Sequence, residues 1–131
     1  MLNRSLILIL VCCIVNVAQA GMDLVGENKE SIIYINIDTA ETNGLIVKAE
    51  GSQDFHRQQR LGDLVYLSSK FVNEYDCAKK QVRQLALSIY PENMANGGDL
   101  LNDTQVKDWL IPDNGSTLSM LLLKACQRLQ K

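Results

Sequence analysis

Between positions 31 and 38 the chain alternates, with Ile33, Ile35 and Ile37 on one side and Tyr34 and Asn36 on the other. A period of two places every second side chain on one face of an extended strand, so the isoleucines predict a buried face. Positions 45–50 repeat the pattern, setting Val47 and Ala49 against Lys48 and Glu50. The pair Asn43-Gly44 just before them suits the positive φ of a hairpin turn. A longer strand over 66–77 sets Leu67, Phe71, Tyr75 and Cys77 on one face and Tyr66, Ser68, Lys70, Glu74 and Asp76 on the other. After a tight turn at 78–80, positions 81–90 align Leu85, Leu87 and Ile89, and Pro91 stops the strand. A short first strand is expected at 22–25, and weaker ones at 99–101 and 107–111 beyond the turn Asn96-Gly97-Gly98. Positions 51–62, with Gln53, Asp54, His56, Arg57, Gln58, Gln59 and Arg60 in near succession, contribute little to a core and are expected to form the longest loop.

The period changes at the end of the chain. Leu118, Leu121, Leu122, Ala125, Cys126 and Leu129 share one helical face. Ser116 or Asn114 can cap its start, and Lys124, Arg128 and Lys131 suit the negative end of the helix dipole. One amphipathic helix and a sheet with one apolar face cover each other, which predicts a two-layer α+β domain.

Charge and cysteine usage sharpen this picture. Positions 1–4 are short and basic, 6–15 are uninterruptedly apolar, and Ala18-Gln19-Ala20 is the small-x-small pattern of signal-peptidase cleavage. The apolar run is too short for a bilayer, which needs about 20 residues. A cleaved signal over 1–20, export through the Sec pathway and a single domain over 21–131 are therefore expected. Lipid attachment wants a small residue before the cysteine, and Cys12 follows Val11, so Cys12 and Cys13 are expected to leave with the signal. Losing Arg4 from 13 basic residues, against 15 acidic ones, leaves a net charge of about −3. With no Lys/Arg block, that balance points away from nucleic acid and anionic membranes.

Two cysteines then remain, Cys77 at the end of a strand and Cys126 on the inner stripe of the helix. An even count in an exported chain favours a disulfide over metal or redox use. Closing a loop of that length is worth roughly 4 kcal/mol in the chain-entropy account.

The same reading leaves little room for catalysis. His56 is the one histidine, so a multi-histidine metal site cannot be built, and a triad would have to use it from a polar segment beside Asp54. Asp99, Asn102, Asp103 and Asp113 lack calcium-loop spacing, and Gly97-Gly98 has no phosphate-binding frame. No enzyme activity, cofactor or metal is expected. Tyr34, Tyr66 and Tyr90 fall opposite the core positions, where they serve either cross-strand packing or contact with a protein partner or a second copy.

Tyr66-Leu67-Ser68-Ser69-Lys70 leading to Glu74-Tyr75-Asp76-Cys77, then Tyr90 with Asn93-Met94, Gly97-Gly98, Trp109 and the Gly115-Ser116 to Cys126 helix resemble the surface-adhesin protein E family of Gram-negative bacteria. The resemblance runs from Ile33 onward. It implies a twisted antiparallel sheet of about six strands with one C-terminal helix on its concave face, tied there by a disulfide. It also implies a homodimer and an adhesin that binds host vitronectin or laminin at the cell surface. Leu24 and Glu50 stand where members often carry aromatic residues, and the lipid-attachment cysteine of the founding adhesin has no counterpart. A soluble periplasmic structural or stress-related role without a host ligand is the alternative expectation.

Overall fold

The computed structural model describes residues 21–130, and the expected signal segment lies outside the described residues. Seven strands follow in chain order: β1 (Asp23–Glu27), β2 (Ser31–Ile35), β3 (Glu41–Asn43), β4 (Ile46–Leu61), β5 (Leu64–Asp76), β6 (Gln81–Tyr90) and β7 (Leu101–Asp103). All pair antiparallel in the order β1-β2-β4-β5-β6-β7, and β3 pairs with the start of β4. One helix, α1 (Thr117–Cys126), ends the fold and runs on into a short 3-10 turn. Among the described residues no helix is long and apolar enough to cross a membrane.

Most positions of the alternating segments occupy the faces their patterns predict. Ile33, Ile35, Val47, Ala49, Phe71, Tyr75 and Val82 are buried and meet Leu121, Leu122 and Ala125 of α1 in one core. The helix starts where expected: Ser116 is its N-cap, and its Oγ accepts the Ser119 N–H at 3.2 Å. At the other end Arg128 donates to the Ile37 carbonyl at 2.8 Å, tying the last turn to the chain that leaves β2. Cys77 and Cys126 are joined, with Cα atoms 5.7 Å apart, so the helix is stapled to the end of β5.

Three expectations need correction. The segment expected as the longest loop, 51–62, is strand through Leu61. Residues 51–54 lie mid-sheet, paired to β2 on one side and β5 on the other. Beyond a bulge between Asp54 and Gln59, β4 and β5 continue as a two-stranded arm closed by Gly62-Asp63, with Gly62 at φ 59°. Polarity there reports wet side chains, and the backbone ladder forms all the same.

Leu85 is the second correction. Register passes from Val72↔Ala86 to Asn73↔Gln84, leaving Leu85 as the extra residue of a bulge. The bulge reverses the side-chain parity, so Leu85 lines the outer face while Leu87 and Ile89 stay inside. Third, the strand expected over 107–111 is reduced to a single bridge, in which Leu110 and Val82 exchange hydrogen bonds of 2.9 Å. The sheet has seven strands because the three-residue β3 forms where only a turn approach was expected. Glycine is required at position 51, where the Phe71 ring and the Tyr34 carbonyl leave no space for a Cβ.

Candidate functional site

Because α1 covers one face of the sheet, the other is left without a covering element among the described residues. Register fixes what it presents. Tyr34 pairs with Ser52, Ser52 with Lys70, Lys70 with Ser88 and Ser88 with Asn102, so one cross-strand row spans β2 to β7. The neighbouring row runs Ile32, Asp54, Ser68 and Tyr90. Further along, Glu41, Lys48, Glu74 and Arg83 form a row of alternating charge. Arg83 closes that row, donating from Nη2 at 2.8 Å and Nε at 3.0 Å to Glu74 Oε1. Its guanidinium also lies 4.5 Å from the centroid of the Trp109 ring.

A strained turn sits at the Tyr90 end of this face. After Pro91 the chain passes through Met94 at φ 58° and Ala95 at φ 56°, left-handed conformations that cost about 1 kcal/mol or more each for residues with a Cβ. Polar side chains of the sheet hold it. Asp54 Oδ1 accepts from Met94 N at 2.8 Å and from Asn93 Nδ2 at 3.0 Å. Ser68 Oγ accepts from Ala95 N at 2.9 Å and donates to the Glu92 carbonyl at 2.6 Å. Met22, Glu50, Ser52, Lys70 and Met94 border the depression of about 330 Å³ that results. Side chains here can hold a partner by hydrogen bonds, charge and apolar contact.

Of the three tyrosines, Tyr34 and Tyr90 share the open face, both half-buried, with β4 and β5 between them and so about 14 Å of sheet. Tyr66 is placed elsewhere. It sits on the arm with its ring edge-to-face against Phe55, centroids 5.6 Å apart, and lines a cleft on the helix side. Sequence alternation fails for it because the arm bulge and twist separate it from the parity of central β5.

The polar candidates are occupied in ways that do not assemble a reactive centre. His56 Nε2 lies 3.4 Å from Glu27 Oε1 in an exposed pair, and Asp54, its sequence neighbour, is committed to the strained turn. Asp103 accepts from Gln105 N at 2.9 Å and from Lys107 Nζ at 2.9 Å, and these contacts, the backbone one foremost, hold its carboxyl below the usual carboxylate range. Among the described residues no three His, Cys, Asp or Glu side chains gather as a metal set. The Asp54 and Ser68 anchors escaped sequence reasoning, since neither Met94 nor Ala95 is a residue type that signals a left-handed turn.

The fold and this face together define a small α+β domain, closed on one side by a disulfide-stapled helix and open on the other. The chain belongs to the surface-adhesin protein E family, whose model matches residues 23–127. Crystal form II of Haemophilus influenzae protein E has the same fold, with a TM-score of 0.64 at 15% identity over 86% of this chain and 92% of that one. Protein E from non-typeable Haemophilus influenzae superposes with a TM-score of 0.58 at 17% identity, over 83% and 74% of the two chains. No curated protein matches the chain in sequence.

Proposed function

We propose that this protein is an exported, non-enzymatic adhesin-type module that holds a protein partner against its open sheet face, the partner being a host extracellular-matrix or serum protein such as vitronectin or laminin. The observation that carries the reading is the uncovered face itself. It combines two half-buried tyrosines, a row of small polar side chains around Lys70, and a strained turn anchored at one end. Aromatic anchors within a polar surround are what protein interfaces select. Family membership supports the adhesin class, and the Cys77–Cys126 disulfide supports residence in an oxidising compartment.

The test is capture of purified vitronectin and laminin by the immobilised oxidised protein. Tyr34→Ser together with Tyr90→Ser should weaken capture at least ten-fold, the scale of a truncated interface anchor, while Arg57→Ala with Arg60→Ala on the arm leaves it unchanged. The reverse ranking would move the interface to the arm. A native protein wholly shielded from protease in intact cells would replace adhesion with a periplasmic role.

A further inference from the structure

A second site lies on the opposite side of the sheet. The β4–β5 arm, the concave sheet face and the first turns of α1 enclose a cleft of about 480 Å³. Its walls are Phe55, Leu61 and Tyr66 from the arm, Leu87 from β6, and Leu118 and Leu121 from the helix. That is the size and the apolar, aromatic character of a small-molecule site.

Two of the polar side chains that reach the cleft are held by neighbours. Gln53 donates to Ser31 Oγ at 2.8 Å, and Lys107 Nζ is held by Asp103 at 2.9 Å. Ser69, Gln84, Asp108 and Thr117 also line it, but Asn73 stands apart in having a buried atom left unpaired. It lines the cleft while only 3% exposed, and its Nδ2 donates to the Tyr75 hydroxyl at 3.2 Å. Its Oδ1 is the one buried side-chain oxygen or nitrogen among the described residues without a hydrogen-bond partner. Native proteins leave few such groups, and each calls for a reason.

We propose that this cleft binds an uncharged amphiphile, an apolar chain or ring bearing one hydroxyl, with the hydroxyl on the Asn73 side-chain amide. The apolar walls take the body. A hydroxyl both donates and accepts, so it satisfies the amide in either orientation, and an uncharged ligand avoids placing an unpaired charge against these walls. The Lys107–Asp103 pair at the lining is already neutralised and does not ask for an anion. Tyr34 and Tyr90 lie on the other face, so this site and the adhesive one stand or fall separately.

The test compares octan-1-ol with heptyl methyl ether, which has the same number of heavy atoms and no donor, by calorimetric or NMR titration of the oxidised protein. The alcohol should bind about ten-fold tighter, the worth of a hydrogen bond to an otherwise unpaired buried acceptor. It should also shift the Asn73 side-chain amide resonances, which the ether leaves in place. Asn73→Val should erase the preference while keeping apolar binding, and Leu118→Trp, which fills the cleft, should abolish binding of both. If Asn73→Val fails to fold, the alcohol-to-ether ratio and the amide shift in the parent decide the matter. Equal affinity for the two probes would mean apolar partitioning only, with Asn73 served by water, and would overturn the proposal, as would no binding of either.

Discussion

Asp76, at the end of β5, shows how one carboxylate organises the turn before the next strand. Its Oδ1 accepts from Ala78 N at 3.1 Å and Lys79 N at 3.0 Å, and Gln81 Nε2 reaches Oδ2 at 3.4 Å. The Lys79 backbone N–H is the largest of the influences holding its carboxyl below the usual carboxylate range. A group whose folded pKa is depressed adds stability above its unfolded value, about 3.9 for Asp, and that contribution is lost as pH falls through the lower folded value. Asp76→Asn should therefore lower the melting temperature at neutral pH but flatten its decline below about pH 4. Thermal melts of both proteins from pH 2 to pH 7 check this, and parallel curves would show that Asp76 is not a source of the acid sensitivity. The same carboxylate stands one residue before the disulfide cysteine, so the turn it shapes also sets where Cys77 emerges from the sheet.

At the scale of elements, α1 offers a direct contrast between its two sides. Leu122 is 8% exposed and packs in the core, whereas Leu123, next in sequence, is 68% exposed. Leu122→Asp should cost more than about 3 kcal/mol by burying an unpaired carboxylate, while Leu123→Asp should stay within about 0.5 kcal/mol. Urea unfolding of the two variants separates them, and equal losses would contradict the docking of the helix described above. The helix face was legible because its apolar positions repeat over three turns and a serine stands at the N-cap. The strands 31–35, 46–50 and 81–90 were legible for the analogous reason, one buried face against one wet face. The arm was not legible, because its β4 half is almost all polar, so its alternation vanishes while its backbone pairing persists. Leu85 was misplaced by a bulge that no residue type announces. The open face of the candidate site followed from Tyr34 and Tyr90, but its anchored turn at Met94 and Ala95 depends on contacts from Asp54 and Ser68, 40 and 27 positions away in sequence.

For the molecule as a whole, the sheet and its single helix meet through a core of modest size, and the disulfide joins the two layers at one end of that core. Cys77 follows directly on β5, the strand paired to both β4 and β6, so the staple fixes α1 to the centre of the sheet rather than to an edge. With 49 positions of separation, the crosslink restricts an unfolded chain that includes β6, β7 and the whole approach to the helix. Cys126→Ser should lower stability by roughly 2 to 5 kcal/mol, a large share of what a domain of this size possesses. The loss should concentrate in α1, since the β4–β5 hairpin keeps its own ladder. Hydrogen exchange should accordingly show α1 amides deprotected well before those of β4 and β5 in the variant. Uniform loss of protection would mean that sheet and helix unfold as one cooperative unit and that the staple acts on both. In either case the outer face carrying Tyr34 and Tyr90 depends on the staple only through the sheet. If the outer face is the adhesive surface proposed above, partner capture by the Cys126→Ser protein below its melting temperature should then match the parent, with stability resting on one face of the molecule and the proposed recognition on the other.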